Sequence, residues 1–95
     1  MIRSLKDKRI PGIRAGSAEK GFPSDLIQRA QRKLAQLDAA TSLADLRVPP
    51  SNQLELLRGD RAGQHSIRIN QQWRLCFVWK DGDAFDVEIV DYHRG

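Results

Sequence analysis

The sequence lacks the features of disulfide-stapled, membrane-spanning and secreted proteins. Its single cysteine, Cys76, cannot form an intramolecular disulfide, and no stretch approaches the roughly 20 apolar residues that a membrane span needs. The first residues, MIRSLKDKRI, contain no apolar segment of the kind found in secretory signals, so we expect a cytoplasmic protein. Because 40% of its 95 residues are hydrophobic, the chain is too apolar to be disordered throughout. We expect one soluble domain spanning residues 1–95.

The sequence also has few residues suited to metal or nucleotide chemistry. Its two histidines, His65 and His93, show no metal-ligand spacing, and the acidic residues near the C-terminus alternate between strand faces. We therefore expect no metal site. No glycine-rich phosphate loop occurs, which disfavours nucleotide hydrolysis, and we expect no cofactor. Cys76 lies within an apolar run, which favours an inert core thiol.

Charge is unevenly distributed along the chain. Residues 1–33 hold nine basic and three acidic residues, a net charge of +6, whereas residues 34–95 hold seven basic and nine acidic residues, a net charge of −2. A basic surface of this kind suits nucleic acid or an acidic protein partner. An ordinary solvated surface explains the asymmetry equally well.

The N-terminal half contains one clear helical pattern. Apolar residues from Leu26 to Leu37 recur at spacings of three and four, and Ser24 is a candidate N-cap, so we predict an amphipathic helix that ends at about Ala40. The basic residues of this segment lie mostly on its other side, where they either contact phosphates or form a solvated face.

Shorter elements flank this helix. We predict a short strand over Ile2–Leu5 and, because of its glycines and proline, a loop or irregular connection over Pro11–Gly21. Ser42 and Asp45 have the spacing of a capping box, which predicts a one-turn helix.

The pattern becomes extended after Asn52. Runs rich in apolar, branched and aromatic residues predict strands, and Asp81-Gly82 between two of them is typical of a tight hairpin turn with positive φ at both positions. The sequence therefore predicts an α+β fold in which N-terminal helices pack on a small, mainly antiparallel sheet. The predicted strands cover residues 54–57, 66–69, 73–79 and 84–90.

The hairpin turn predicts which residues of the last two strands are opposite each other. With Asp81 and Gly82 as the loop, Val78 is opposite Phe85, Cys76 is opposite Val87 and Arg74 is opposite Ile89. A three-residue connection over residues 70–72 places Arg68 opposite Arg74.

This register predicts a candidate active site at one end of the sheet. Arg74 shares a face with Asp91 and, if the strand stays extended, with His93. Arginine donates bidentate hydrogen bonds to phosphate, and histidine titrates near neutral pH, so the cluster can hold a phosphate and move protons. Tyr92 falls on the opposite pleat and reaches a base only if the terminus twists. The alternative is a diagonal ion pair between Arg74 and Asp91, with His93 in a frayed tail.

Three segments that cover most of the chain resemble HigB-type toxins of the RelE/ParE superfamily, namely FPSDLIQRAQRKLAQLDAATSLADL, LRGDRAGQHSIRIN and QWRLCFVWKDGDAFDVEIVDYH. The resemblance implies a RelE-like microbial RNase fold and cleavage of mRNA in the ribosomal A site, which inhibits translation. It also implies a HigA-like helix-turn-helix antitoxin that neutralises the toxin and represses the operon. Operator DNA would then be bound only through the antitoxin.

The resemblance assigns the catalytic positions to Arg74, Asp91, Tyr92 and His93. It implies metal-independent transesterification, in which Asp91 or His93 removes the proton of a ribose 2′-OH, and Arg74 and Arg58 stabilise the charge that develops on the phosphate. His93 is the preferred acid or base, with Asp91 orienting it, and Tyr92 stacks on or positions a base.

RNA contacts are expected at Arg58, Arg61 and Arg68. Arg58 stands where a lysine is common in the family, and Arg61 lies in a turn where solvation alone explains it equally well. Glu55 departs from the pattern, because some members have a histidine there. This carboxylate serves as a base, repels phosphate and so lowers cleavage, or is simply an exposed strand residue.

Two other functions remain compatible with the sequence. The first is a weakly active or inactive toxin-fold protein that acts mainly with its antitoxin in operon repression, and the Glu55 departure supports it. The second is the ParE branch, whose members act on DNA gyrase. The terminal DYH disfavours this branch, since those relatives generally lack it.

Overall fold

The structure is a computed structural model that describes residues 1–92, and within them the chain forms two α-helices and a four-stranded antiparallel sheet. The sheet order follows the chain order, and the predicted α+β fold is confirmed. Short 3-10 turns connect the elements at Ser24–Leu26, Leu43–Arg47, Pro50–Asn52 and Gly59–Arg61. The helices are α1 (Ile10–Arg14) and α2 (Ile27–Ala39), and the strands are β1 (Glu55–Leu56), β2 (Gln64–Arg68), β3 (Trp73–Lys80) and β4 (Asp83–Asp91).

Helix α2 covers one face of the sheet and supplies much of the core. Ala30, Leu34 and Leu37 are buried at the predicted helical spacing, and each fully buried leucine contributes about 1.5–3 kcal/mol through removal of apolar surface from water. Beside them, Phe22 contacts Trp73 edge-on at a centroid distance of 5.1 Å. None of the helices formed by residues 1–92 is long and apolar enough to cross a membrane.

The N-terminal segment differs from its prediction. Ile2–Leu5 does not form a regular strand, since Ile2 and Leu5 make only isolated parallel bridges to Ala84 and Val87 of β4. A five-residue helix, α1, interrupts the segment predicted as a loop, with a proline near its start.

Helix capping matches the predictions at one site and not at another. The Ser24 side chain does not cap α2, because Ser24 lies inside a 3-10 turn that precedes the helix. The predicted capping box is confirmed, with the Ser42 N–H donating to Asp45 Oδ2 at 3.2 Å.

The two predicted turns of the sheet are present, and the predicted residue pairing is confirmed for the pairs close to each turn. Asp81 and Gly82 both have positive φ, 53° and 80°, as a type I′ turn requires. Val78 is opposite Phe85, as predicted. Arg68 is opposite Arg74 across the β2–β3 pair, so the register inferred for the less secure turn is also correct.

A β-bulge at Asp86 changes the register further along the β3–β4 pair. Asp86 has a φ of 52°, and beyond it Cys76 is opposite Glu88 and Arg74 is opposite Val90. The predicted pairings of Cys76 with Val87 and Arg74 with Ile89 are therefore wrong by one residue. An extra residue on one strand moves every following side chain to the other face.

Candidate active site

Arg74 is the central group of the candidate site. It is 8% exposed, and its Nε donates a hydrogen bond to Ser66 Oγ at 2.7 Å. Its Nη2 donates to the backbone carbonyl oxygen of Gln53 at 2.5 Å and to that of Ser66 at 3.5 Å. These acceptors are uncharged, and Arg74 forms no ion pair within residues 1–92. Its orientation is thus fixed while its charge stays available to an anion.

The carbonyl of Gln53 reaches Arg74 because Gln53 has a left-handed backbone, with φ 45° and ψ 58°. This conformation costs a residue with a Cβ about 1–2 kcal/mol, so neighbouring contacts must hold it. The buried Asn52 supplies them, since its Nδ2 donates to Gln36 Oε1 at 3.2 Å and to the Leu46 carbonyl at 3.1 Å. Sequence reasoning missed Gln53, because glutamine carries no signal for a left-handed position.

Ser66 was a detectable partner of Arg74. Its side chain is fully buried, and the β2–β3 register pairs it with Cys76, which places it on the same face as Arg74. The correctly predicted register already contained this relationship. Sequence reasoning assigned Ser66 no role and so overlooked this contact.

The bulge exchanges the positions expected for Asp91 and Tyr92. Asp91 is opposite Trp73, on the face of the sheet away from Arg74, and accepts a hydrogen bond from Gln72 Nε2 at 3.1 Å. The prediction that Asp91 shares the face of Arg74 is therefore wrong. Tyr92 takes that place, with its ring centroid 5.9 Å from Arg74 Cζ and its N–H donating to the Gln72 carbonyl at 2.5 Å. His93, also predicted for this face, lies outside the described residues.

A surface cleft of about 600 Å³ opens beside Arg74 and Tyr92. Arg68, predicted to contact RNA, lies in this cleft, and Glu55 lines it from the edge strand β1. The cleft therefore presents two arginines, one aromatic ring and one carboxylate to a ligand. It is lined by Gln53, Glu55, Arg68, Asn70, Gln71, Gln72, Arg74 and Tyr92.

Arg58 and Arg61 do not line this cleft. Arg61 Nη1 donates to Glu88 Oε1 at 2.5 Å and to Gln64 Oε1 at 3.2 Å. The hydrogen bond to the Glu88 carboxylate raises the pKa of Arg61, and it also neutralises much of the arginine charge. Arg58 is exposed and precedes the 3-10 turn that contains Arg61.

The remaining ionisable groups of the sheet are less suited to catalysis. Burial raises the pKa of the Cys76 thiol to about 11, so the thiol is protonated at neutral pH, as an inert core cysteine is. His65 stacks against Phe77 at a centroid distance of 6.3 Å, and burial lowers its pKa. It lies on the face of β2 opposite to Arg68.

Comparisons with known proteins identify the family. A model for the RelE-like toxin of type II toxin–antitoxin system HigB matches residues 6–93. The chain is 46% identical over 73 residues to Toxin HigB-1 of Vibrio cholerae, covering 77% of this chain and 76% of the relative. It is 32% identical over 93 residues to Endoribonuclease HigB of Proteus vulgaris, covering 98% of this chain and all of the relative. The chain belongs to the HigB-like family of toxins of type II toxin–antitoxin systems.

Proposed function

We propose that this toxin is a metal-independent mRNA endoribonuclease that cleaves messages in the ribosomal A site and so inhibits translation in the cytoplasm. The observation that carries the proposal is the buried Arg74, held by uncharged acceptors at the wall of an open cleft, since such a cation attracts a phosphate. The Proteus vulgaris relative, named as an endoribonuclease, supports the same chemistry.

The reaction is an internal transesterification. A base takes the proton of a ribose 2′-OH, and the 2′-oxygen forms a bond to the adjacent phosphorus while the bond from phosphorus to the 5′-oxygen breaks. An acid gives a proton to the leaving 5′-oxygen, so the products are a 2′,3′-cyclic phosphate and a 5′-OH end. Arg74 stabilises the charge that develops on the phosphate oxygens.

The terminal residues are assigned distinct roles in this proposal. His93 is the acid or base, and Tyr92 holds a nucleobase beside Arg74 by stacking. Asp91 acts as a positioning residue. It accepts a hydrogen bond from the Gln72 side chain, and the Gln72 carbonyl accepts one from the Tyr92 N–H, so the two strand ends are tied together.

The proposed partners follow from the family and from the surface of the cleft. The type II family implies an antitoxin, and we propose a HigA-like helix-turn-helix protein that alone contacts operator DNA. Arg68 contacts RNA within the cleft. Arg58 and Arg61 contact RNA or the ribosome outside it.

Mapping of mRNA 5′ ends in cells tests this function. Wild-type toxin and the variants Arg74→Lys, Tyr92→Phe and His93→Ala are induced in translating and in translation-blocked cells. We expect cleavage only in translating cells, abolished in His93→Ala and reduced by about 10²–10³-fold in Arg74→Lys, which keeps the charge but loses the fork of donors. The exposed Lys80→Ala serves as the matched control and retains full cleavage. Undiminished cleavage in both Arg74→Lys and His93→Ala would contradict the assignment.

A second candidate function rests on Glu55, whose carboxylate lines the cleft. If it repels phosphate enough to suppress cleavage, the protein acts mainly with its antitoxin in operon repression. Glu55→Gln removes this charge and keeps the shape of the side chain. A wild-type protein without cleavage products and a Glu55→Gln variant with abundant products would favour this second function.

A further inference from the structure

A second groove, about 880 Å³ in volume, runs along the exposed side of helix α2. Four of its lining residues are cationic and none is acidic. Its composition contrasts with that of the cleft beside Arg74, which contains Glu55. The cations of this groove are Arg29, Arg32, Lys33 and Arg68.

The α2 groove adjoins the cleft beside Arg74. Arg68, Asn70 and Gln71 line both, so the β2–β3 turn forms their common wall. An extended ligand that is bound at Arg74 and passes over this turn therefore enters the basic α2 groove. The helix positions these charges because α2 buries its apolar stripe and turns the opposite side outward.

The arginines of the groove have no counter-ion among residues 1–92. Arg29 and Arg32 are exposed, and neither forms an ion pair in the part of the chain that the structure describes. Lys33 donates to the neutral Asn52 Oδ1 at 2.5 Å. Burial lowers the pKa of Lys33, and the nearby charges of Arg32 and Arg29 lower it further.

We propose that the α2 groove binds the sugar–phosphate backbone of single-stranded RNA that flanks the segment held at Arg74. This inference rests on the proposed endoribonuclease function and extends it from one phosphate to a strand. The groove contains no aromatic side chain among its lining residues, so it reads phosphates and not bases. RNA is favoured over an acidic protein because the groove adjoins the cleft assigned to RNA and shares Arg68 with it.

Fluorescence anisotropy with a labelled, fully 2′-O-methylated RNA tests this groove, since such RNA cannot be cleaved. The probe has about 12 nucleotides, within the range of about 4 to 16 that single-strand sites cover. The test variant is Arg29→Ala/Arg32→Ala, in which both changes lie on the exposed side of α2 and favour helix formation. Lys8→Ala/Lys20→Ala removes the same charge from exposed positions outside the groove and is the matched control.

We expect the groove variant to bind the RNA about ten-fold more weakly at moderate salt, and the control to bind like the wild type. The slope of log affinity against log salt should fall by about 1.4, since each single-strand phosphate contact contributes about 0.7. Equal affinities of the groove variant and the wild type would overturn the proposal, as would a wild type that binds no RNA. Loss of antitoxin binding with unchanged RNA affinity would also overturn it and would assign the groove to protein.

The cleavage assay separates this inference from the proposed function. If the groove variant binds RNA like the wild type while Arg74→Lys reduces cleavage as expected, the groove proposal fails and the nuclease proposal stands. If the groove variant loses RNA affinity while Arg74→Lys cleaves normally, the groove proposal stands and the catalytic assignment fails.

Discussion

Arg74 and Tyr92 lie on the same face of the sheet, with the guanidinium carbon 5.9 Å from the centre of the phenol ring. They are neighbours only because the bulge at Asp86 shifts β4 by one residue. Without the bulge, Asp91 would lie on the same face as Arg74, and its carboxylate would neutralise the guanidinium charge. The bulge thus selects an aromatic neighbour, in place of a carboxylate, for the cation that we propose binds phosphate.

Substitution of Asp86 tests how much the bulge contributes. A β-branched residue is strongly disfavoured at a φ of 52°, so we expect Asp86→Val to lower the free energy of unfolding by about 1–3 kcal/mol. The variant also loses the hydrogen bond between the Asp86 side chain and Ser4 Oγ. The control is Lys80→Val, at an exposed position at the end of β3. It should change the free energy of unfolding by less than about 0.5 kcal/mol. Urea denaturation measures both, and equal stabilities of the two variants would contradict the strain.

Ser66→Ala tests whether the hydroxyl positions Arg74. The change removes the acceptor 2.7 Å from Arg74 Nε, and we expect cleavage to slow by about 10- to 100-fold, consistent with about 1.5–3 kcal/mol for a charge-assisted hydrogen bond. A double-mutant cycle distinguishes an effect of Ser66 that acts through Arg74 from a purely structural effect of Ser66. In an Arg74→Gln background, Ser66→Ala should have no further effect on the cleavage rate, whereas additive losses would show that the two residues act independently.

Arg61 and Arg68 should differ in their effect on RNA binding. Arg61 is paired with Glu88 at 2.5 Å, whereas Arg68 lines both grooves and has no ion pair among the described residues. We expect Arg68→Ala to reduce RNA affinity by about five-fold and to lower the salt slope, and Arg61→Ala to reduce it by less than about two-fold. Anisotropy at several salt concentrations measures both effects. A larger loss for Arg61→Ala would mean that Glu88 releases Arg61 when RNA binds.

Asp7 should make stability depend on acid pH. Burial opposes its ionisation, but the hydrogen bonds from Arg9 and from the Ile89 N–H outweigh burial and lower the pKa of Asp7. A carboxyl whose pKa is lower in the folded state stabilises the fold above its unfolded pKa of about 3.9, and this contribution disappears as the pH falls through the lowered pKa. We expect Asp7→Asn to be less stable than the wild type at neutral pH, with the difference shrinking below about pH 4. Urea unfolding across pH measures it, and a constant difference would contradict this account.

Local signals predicted the parts of the fold that depend on neighbouring residues. The apolar spacing of Leu34 and Leu37 predicted α2, and Asp81-Gly82 predicted the hairpin together with its first residue pairs. The same reasoning placed Arg68 opposite Arg74, and these are the two arginines that line the cleft. These features were predictable because side-chain periodicity and turn chemistry act over a few residues.

The rest of the site depends on contacts between distant parts of the chain. The bulge at Asp86 is fixed partly by Ser4, whose Oγ accepts the Asp86 N–H at 2.8 Å, and no local pattern announces that contact. Gln53 adopts its left-handed backbone beside a buried Asn52 that is anchored by α2 and by the turn at Leu43–Arg47. Sequence reasoning could name Arg74, but it could not find the groups that hold it.

The pairing of the N-terminal segment with β4 imposes an order on the folding of this protein. Residues 2–5 are synthesised before residues 84–87, against which they dock, so this segment has no partner while the chain between them is being made. Contacts this distant in sequence close late and slowly. The Arg74–Tyr92 pair also depends on β4, because Tyr92 directly follows that strand. The cleft beside Arg74 therefore takes its final form only when β4 has paired with β3.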